Sequence, residues 1–343
     1  MPQTMTLRFW ESKTMADRNV EQELREGKQR LASCAAGRSP ENSASGVADE
    51  TKSPNRHAPR AKAAGPVPYV YKEIGETTLR LLVFAPEGTK PGDRRPAIVF
   101  FFGGGYVGGN QRQFEPQARY FCGRGLVAIL ADYRVKERHG STPEDSCADG
   151  RSAIRWLRQH AAELGLDPRR LVASGGSAGG GVAAMAGVLR EDAPTGEPNV
   201  SSRPDALILF NPVVVYAPIE GTELRPSERL VANGERWGRL AIPEVSPWHH
   251  VTAGAPPTLI LHGEADEICP LATERAFADK MGQCGVRCDL VAYPGQGHGF
   301  FNARRSEEYF VKTLMAADRF LASLGFLQGE PEVEDMKRLR LNP

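Results

Sequence analysis

Apolar residues follow two rhythms along this chain. Residues 97–102 and 126–131 are short unbroken apolar runs, suited to strands buried on both faces of a sheet. Residues 143–164 instead repeat Ile154, Leu157, Ala161 and Leu164 at helical spacing, which predicts one helix. Residues 70–74 and 78–84 alternate around Gly75, which predicts an antiparallel pair. The same reading places a helix over 114–122, a strand over 171–174 and a helix from there to about 189. It then predicts strands over 206–210 and 258–262, a helix over 271–281, a strand over 288–293 and a last helix with Phe310, Leu314, Ala317, Leu321 and Leu324 inward. Strands that alternate with helices in this way define the α/β class, a mostly parallel central sheet with helices on both faces.

The pattern fails at both ends. Residues 11–68 contain no aromatic residue and no isoleucine, so residues 1–68 are expected to form a mostly disordered tail or a partial cap. Val20, Leu24 and Leu31 would give residues 17–32 one amphipathic stripe with which to dock. Residues 69–328 make up the expected folded domain, and the charged residues 329–343 a frayed end. Within the domain, residues 212–256 are too long for an ordinary connection and read as an insertion.

Composition narrows the function. Lys plus Arg is 43 and Asp plus Glu is 42, so a net charge of +1 points to neither nucleic acid nor an anionic membrane as partner. Six scattered cysteines in 343 residues do not make a disulfide scaffold. Cys284 and Cys288 lack a second ligand pair, and no metal is expected. No apolar run is long enough to span a bilayer, and residues 1–30 are charged throughout, without the apolar core of a secretory signal; a cytoplasmic location is the expectation.

Four motifs fall at predicted strand ends. Ser177 stands in Gly175-Gly176-Ser177-Ala178-Gly179, a pattern that suits a sharp strand-to-helix turn presenting a serine hydroxyl. Gly103-Gly104-Gly105 follows the strand at 97–102, where glycines let backbone N–H groups approach a developing oxyanion. His298 sits in a glycine-rich loop after the last strand and can serve as general base. Asp266 follows the penultimate strand, with Glu264 and Glu267 as neighbouring candidates for the carboxylate that orients the imidazole. The order of glycine loop, serine, acid and histidine is that of α/β-hydrolases.

These residues, with Asp132-Tyr133-Arg134 at a further strand end, resemble the α/β-hydrolase esterases of the hormone-sensitive-lipase-like group and the related bacterial acetylxylan and feruloyl esterases. The resemblance covers roughly residues 69–327. It implies Ser177 as nucleophile, His298 as base, Asp266 as orienting acid, and Gly104, Gly105 and Ala178 as oxyanion donors. It assigns the Asp132 trio to fixing the loop. One departure is Phe102, where the family usually has histidine before the glycines, so support for the loop must come from other residues.

The expected activity is hydrolysis of short-chain carboxylic esters through an acyl-enzyme, with no cofactor. Tyr106, Val107, Trp248 and Phe300 are the expected substrate contacts. The partner is then a small-molecule or carbohydrate ester. Trp237 and Trp248 would supply stacking faces if the substrate is an acetylated or feruloylated plant polysaccharide. A homodimer is kept as an option. Two rivals remain open: a peptidase of prolyl-oligopeptidase type, whose usual propeller residues 1–68 cannot supply, and a non-catalytic binding protein on a hydrolase fold.

Overall fold

The computed structural model describes residues 65–190, 200–235 and 242–331. The tail helix expected at 17–32, Trp237 and residues 332–343 lie outside the described residues. Eight strands form one sheet in the order β1-β2-β4-β3-β5-β6-β7-β8. They are β1 (Val67–Ile74), β2 (Thr77–Phe84), β3 (Arg95–Phe101), β4 (Val127–Ala131), β5 (Leu166–Gly176), β6 (Ala206–Phe210), β7 (Thr258–Gly263) and β8 (Cys288–Tyr293). The first two pair antiparallel through the turn at Gly75, and β2 pairs antiparallel with β4; all other pairs are parallel.

The unbroken apolar runs have a direct cause. In β3, Ala97, Val99 and Phe101 face one core layer while Ile98 and Phe100 face the other; in β6, Leu207 and Leu209 oppose Ala206, Ile208 and Phe210. Both faces of each central strand are therefore apolar, as burial under helices on both sides requires. The nine α-helices among the described residues are α1 (Glu115–Gly123), α2 (Lys136–His139), α3 (Pro143–Gln159), α4 (Ala161–Leu164), α5 (Ala178–Val188), α6 (Glu228–Glu235), α7 (Pro247–His250), α8 (Leu271–Gln283) and α9 (Glu307–Ser323). Side chains of α3, α5 and α8 fill one layer, and those of α1 and α9 the other. Every residue of α5 is buried, and apart from Met185 none is larger than valine.

The single helix expected over 143–164 is in fact two. His160 takes φ −100° and ψ 17°, outside helical geometry, and its ring stacks on Trp156 at 3.9 Å. The short α4 then ends at Gly165 with φ 67°. Strand β5 runs longer than the apolar segment 171–174, because Arg94 and Arg170 hold Asp167 at its polar beginning. The insertion contains α6 and α7.

One buried ion pair joins the helices of the second layer. Asp318 on α9 is fully buried and accepts from Arg124 Nε at 2.7 Å and from the Tyr120 hydroxyl at 2.6 Å. Removing the carboxylate takes the counter-charge of Asp318 from a mostly buried guanidinium, whose Nη2 also donates to the neutral carbonyls Gln328 O and Gly329 O. Asp318→Ala is expected to destabilise the fold by about 3–5 kcal/mol, measured as a lower urea midpoint at unchanged slope.

Candidate active site

The carboxyl ends of the parallel strands, where open α/β sheets bind ligands, carry the glycine loop after β3, Ser177 after β5, Asp266 after β7 and His298 after β8. Ser177 lies between the last residue of β5 and the first of α5, at φ 54° and ψ −123°. Such an angle costs a non-glycine residue about 1–3 kcal/mol and persists only where the surroundings enforce it. The enforcement is visible here. Ser177 N–H donates to Phe210 O at 3.0 Å, and its carbonyl accepts from Gly181 N and Val213 N. A Cβ on Gly175 would come within 2.8 Å of Phe101 O, and one on Gly179 within 2.5 Å of the Phe101 carbonyl carbon. The glycine spacing thus follows from how closely β3, β5 and α5 approach.

His298, in the loop after β8, bridges the other two groups. Its Nε2 is 2.9 Å from Ser177 Oγ and its Nδ1 is 2.8 Å from Asp266 Oδ2. With the proton on Nδ1, the imidazole donates to the carboxylate and accepts from the hydroxyl. Asp266 is buried, whereas Glu264 and Glu267 are exposed, so of the three candidate carboxylates it is Asp266 that meets the imidazole. Its Oδ1 accepts from Ile268 N at 2.8 Å and Cys269 N at 2.9 Å, and its Oδ2 also accepts from Asn211 Nδ2. Burial by itself would raise this carboxyl; the hydrogen bonds and charge of His298, with the Cys269 N–H, prevail and hold it below the usual carboxylate range.

Two further ionisable side chains stand behind Asp266. His262, at the end of β7, donates from Nε2 to Cys269 O at 2.8 Å, and burial pushes its imidazole down to about 4. Glu274 on α8 is fully buried, and desolvation, reinforced by the Asp266 charge, raises its carboxyl well above the ordinary value. For His262 the consequence for stability has a definite sign. Between about pH 6.5 and 4 the unfolded chain takes up a proton at this position that the folded chain refuses. The neutral imidazole therefore supports the fold above pH 6.5, and that support is lost as pH falls through this window. The loss amounts to about 3 kcal/mol at 1.36 kcal/mol per unit. Urea unfolding at pH 7, 5.5 and 4.5 is expected to show a shallower acid loss for His262→Gln than for the parent chain.

The only grouping of three metal-type donors among the described residues is Asp266, Cys269 and His298, and Asp266 and His298 are already bonded to each other. Burial, with the Asp266 and Glu274 charges, raises the Cys269 thiol and leaves it protonated.

The glycine loop leaves β3 and turns back under itself. Gly104 has φ 141° and Gly105 φ 62°; Val107 N and Gly108 N donate to Gly104 O at 3.0 and 3.2 Å. Among the described residues the N–H groups of Gly104, Gly105 and Ala178 have no backbone acceptor. The support that Phe102 cannot give comes from two neighbours. The Tyr133 hydroxyl donates to Phe102 O at 2.5 Å while its ring stacks on Phe102 at 4.1 Å, and Gly103 N–H donates to Gln113 Oε1 at 2.6 Å. Asp132 and Arg134 flank Tyr133 with ion pairs to Arg138 and Asp149.

The expected substrate contacts fare unevenly. Tyr106 and Val107 belong to the glycine loop but are buried, Tyr106 with its ring edge against Tyr216. Phe300 packs among Tyr293, Phe301 and Tyr309 in the second core layer, so its place is in the packing beneath the His298 loop. Trp248 donates from its indole to Ala276 O at 3.1 Å, and Lys280 Nζ sits 3.7 Å from the ring centroid. An ammonium thus covers one face of the Trp248 indole. Asn211 and Gln113 escaped the sequence reading. Asn211 follows β6 directly and has φ 41°, a conformation asparagine tolerates better than most residues.

Serine, imidazole and buried carboxylate in hydrogen-bonded series, at the strand ends of this sheet, are the arrangement of a serine hydrolase on the α/β-hydrolase fold. Residues 81–281 match the BD-FAE family model, and residues 242–328 match that of the dienelactone hydrolase family. The chain belongs to the BD-FAE family. It is 28% identical over 242 residues to the probable carboxylic ester hydrolase LipM of Mycobacterium tuberculosis, covering 67% of this chain but only 54% of LipM. Esterase LipU of the same organism is 30% identical over 258 residues, 65% of this chain and 80% of LipU. Among solved structures, native esterase Est2 of Thermogutta terrifontis is 47% identical with a TM-score of 0.72, covering 79% of this chain and 96% of that one. That esterase has also been solved with propionate, with butyrate, and phosphonylated by sarin. Among the described residues no helix is long and apolar enough to cross a membrane.

Proposed function

We propose that this chain hydrolyses short-chain carboxylic esters through an acyl-enzyme on Ser177. His298 Nε2 takes the hydroxyl proton as Ser177 Oγ attacks the ester carbonyl, and Asp266 stabilises the imidazolium that results. The carbonyl oxygen, now negative, accepts from the N–H groups of Gly104, Gly105 and Ala178. Each such donor lowers the barrier by about 3 kcal/mol where it is already in place. The C–O bond to the alcohol breaks as His298 returns the proton to the leaving oxygen. Water then attacks the acyl-enzyme by the same route and frees the acid.

The observation that carries this reading is the position of His298, within hydrogen-bond reach of Ser177 Oγ on one side and Asp266 on the other. The short acyl group is supported by the relative that holds propionate and butyrate. A polysaccharide alcohol has less support, since Lys280 covers one face of Trp248. The test is turnover of p-nitrophenyl esters from acetate to palmitate. The expected optimum is acetate to butyrate; an optimum at laurate or beyond overturns the short-acyl reading. Turnover of p-nitrophenyl acetate without acetate release from acetylated xylan removes the sugar-ester version.

A further inference from the structure

The loop that offers the oxyanion donors and the loop that carries His298 come from strands on different sides of Ser177, and a chain of amides joins them. Gln113 lies in the 3₁₀ turn Gln111–Phe114, which Asn110 holds by accepting from Arg112 N at 2.8 Å through its side chain and from Gln113 N at 3.0 Å through its carbonyl. The Gly103 N–H needs an acceptor, which fixes the amide of Gln113 with Oε1 toward the loop. Its NH2 group then faces Asn302 Oδ1 at 3.4 Å, and Asn302 Nδ2 donates to Gly299 O at 2.8 Å. Each amide accepts on one side and donates on the other, so the three links run in one consistent direction from Gly103 to Gly299. Gly103 immediately precedes the oxyanion donors, and a Cβ there would lie 3.3 Å from Ser177 Cβ; Gly299 immediately follows His298.

We propose that Gln113 is a positioning residue which, with Asn302, sets the oxyanion loop in register with the His298 loop. It thereby takes over the support that a histidine before the three glycines would otherwise supply. The inference rests on the roles proposed above for Ser177, His298 and the glycine loop. Gln113 is exposed, so its hydrogen bonds contribute little to folding, and their value lies in where they hold Gly104 and Gly105. Uniform binding of the ground-state ester needs no such precision, whereas the oxyanion does. Loss of the relay therefore falls on kcat and spares KM.

The experiment compares Gln113→Met, Asn302→Leu, the double variant and Ser177→Ala on p-nitrophenyl butyrate, with melting temperatures alongside. Gln113→Met, similar in length but without the amide's strong acceptor and its donor, is expected to lower kcat about ten- to a hundredfold while KM stays within about threefold. Asn302→Leu should act in the same direction, and the double variant should lose no more than Gln113→Met alone, because both break one chain. An unchanged melting temperature completes the expected result. A raised KM at constant kcat would make Gln113 a substrate contact and overturn the proposal, as would additive losses in the double variant. A fully active Gln113→Met beside an inactive Ser177→Ala overturns the relay alone. An active Ser177→Ala overturns the reading beneath it.

Discussion

Ser177→Ala is expected to lower kcat on p-nitrophenyl butyrate by about 10⁵- to 10⁶-fold, leaving only what binding and the oxyanion donors achieve without a nucleophile. The fold should survive, because the hydroxyl is removed and nothing is added. What alanine inherits is the backbone angle, φ 54°, held by Phe210, Gly181 and Val213. The measurement that separates lost chemistry from lost structure is labelling by a fluorophosphonate probe together with a melting curve. The parent chain should label stoichiometrically and the variant should not, at similar melting temperatures. A variant that keeps more than about a hundredth of the parent rate would mean that another group attacks the ester.

Asp266→Asn is expected to cost about 10⁴ in kcat, roughly ten- to a hundredfold less than losing the nucleophile, although it changes only one heavy atom. An amide NH2 toward His298 favours the imidazole tautomer with its proton on Nε2, where it can no longer accept from Ser177. The same NH2 would also oppose that of Asn211, which now donates to Oδ2, while the remaining oxygen keeps the N–H groups of Ile268 and Cys269. Loss of stability should therefore accompany loss of rate. Glu264→Gln and Glu267→Gln, on exposed neighbours, should leave both within a factor of about two, and kinetics of the three variants side by side would check the assignment.

Much of this site was readable beforehand because its constraints are steric and local. Burial on both faces made β3, β4 and β6 unbroken apolar runs, and the close approach of α5 to β3 demanded glycine on both sides of Ser177. The choice among Asp266, Glu264 and Glu267 was not local. It depends on which side chain the turn after β7 directs inward, and family resemblance supplied the answer before geometry did. Gln113 and Asn211 carry no periodic signal at all, since one sits ten residues beyond the glycine it supports and the other acts on a carboxylate 55 residues away. The aromatic residues were ambiguous for the opposite reason. Phe300 follows β8 and His298, but an aromatic ring after a strand fills a core as readily as it lines a site, and Trp248, in a helix of the insertion, spends its indole N–H on Ala276 O and one ring face on Lys280.

Helix α5 has a consequence for how an enzyme of this kind can change. A Cβ on Gly180 would stand 2.8 Å from that of Pro212, and one on Gly187 2.8 Å from Leu207 Cδ1, so the helix behind the serine has almost no room for larger residues. Selection for a new substrate, in nature or in a directed library, finds little tolerated variation there. It must work through the loops after β3, β6 and β8, which surround the serine while the nucleophile stays where it is. Libraries confined to those loops should yield folded, altered esterases at a far higher frequency than libraries that randomise residues 178–188.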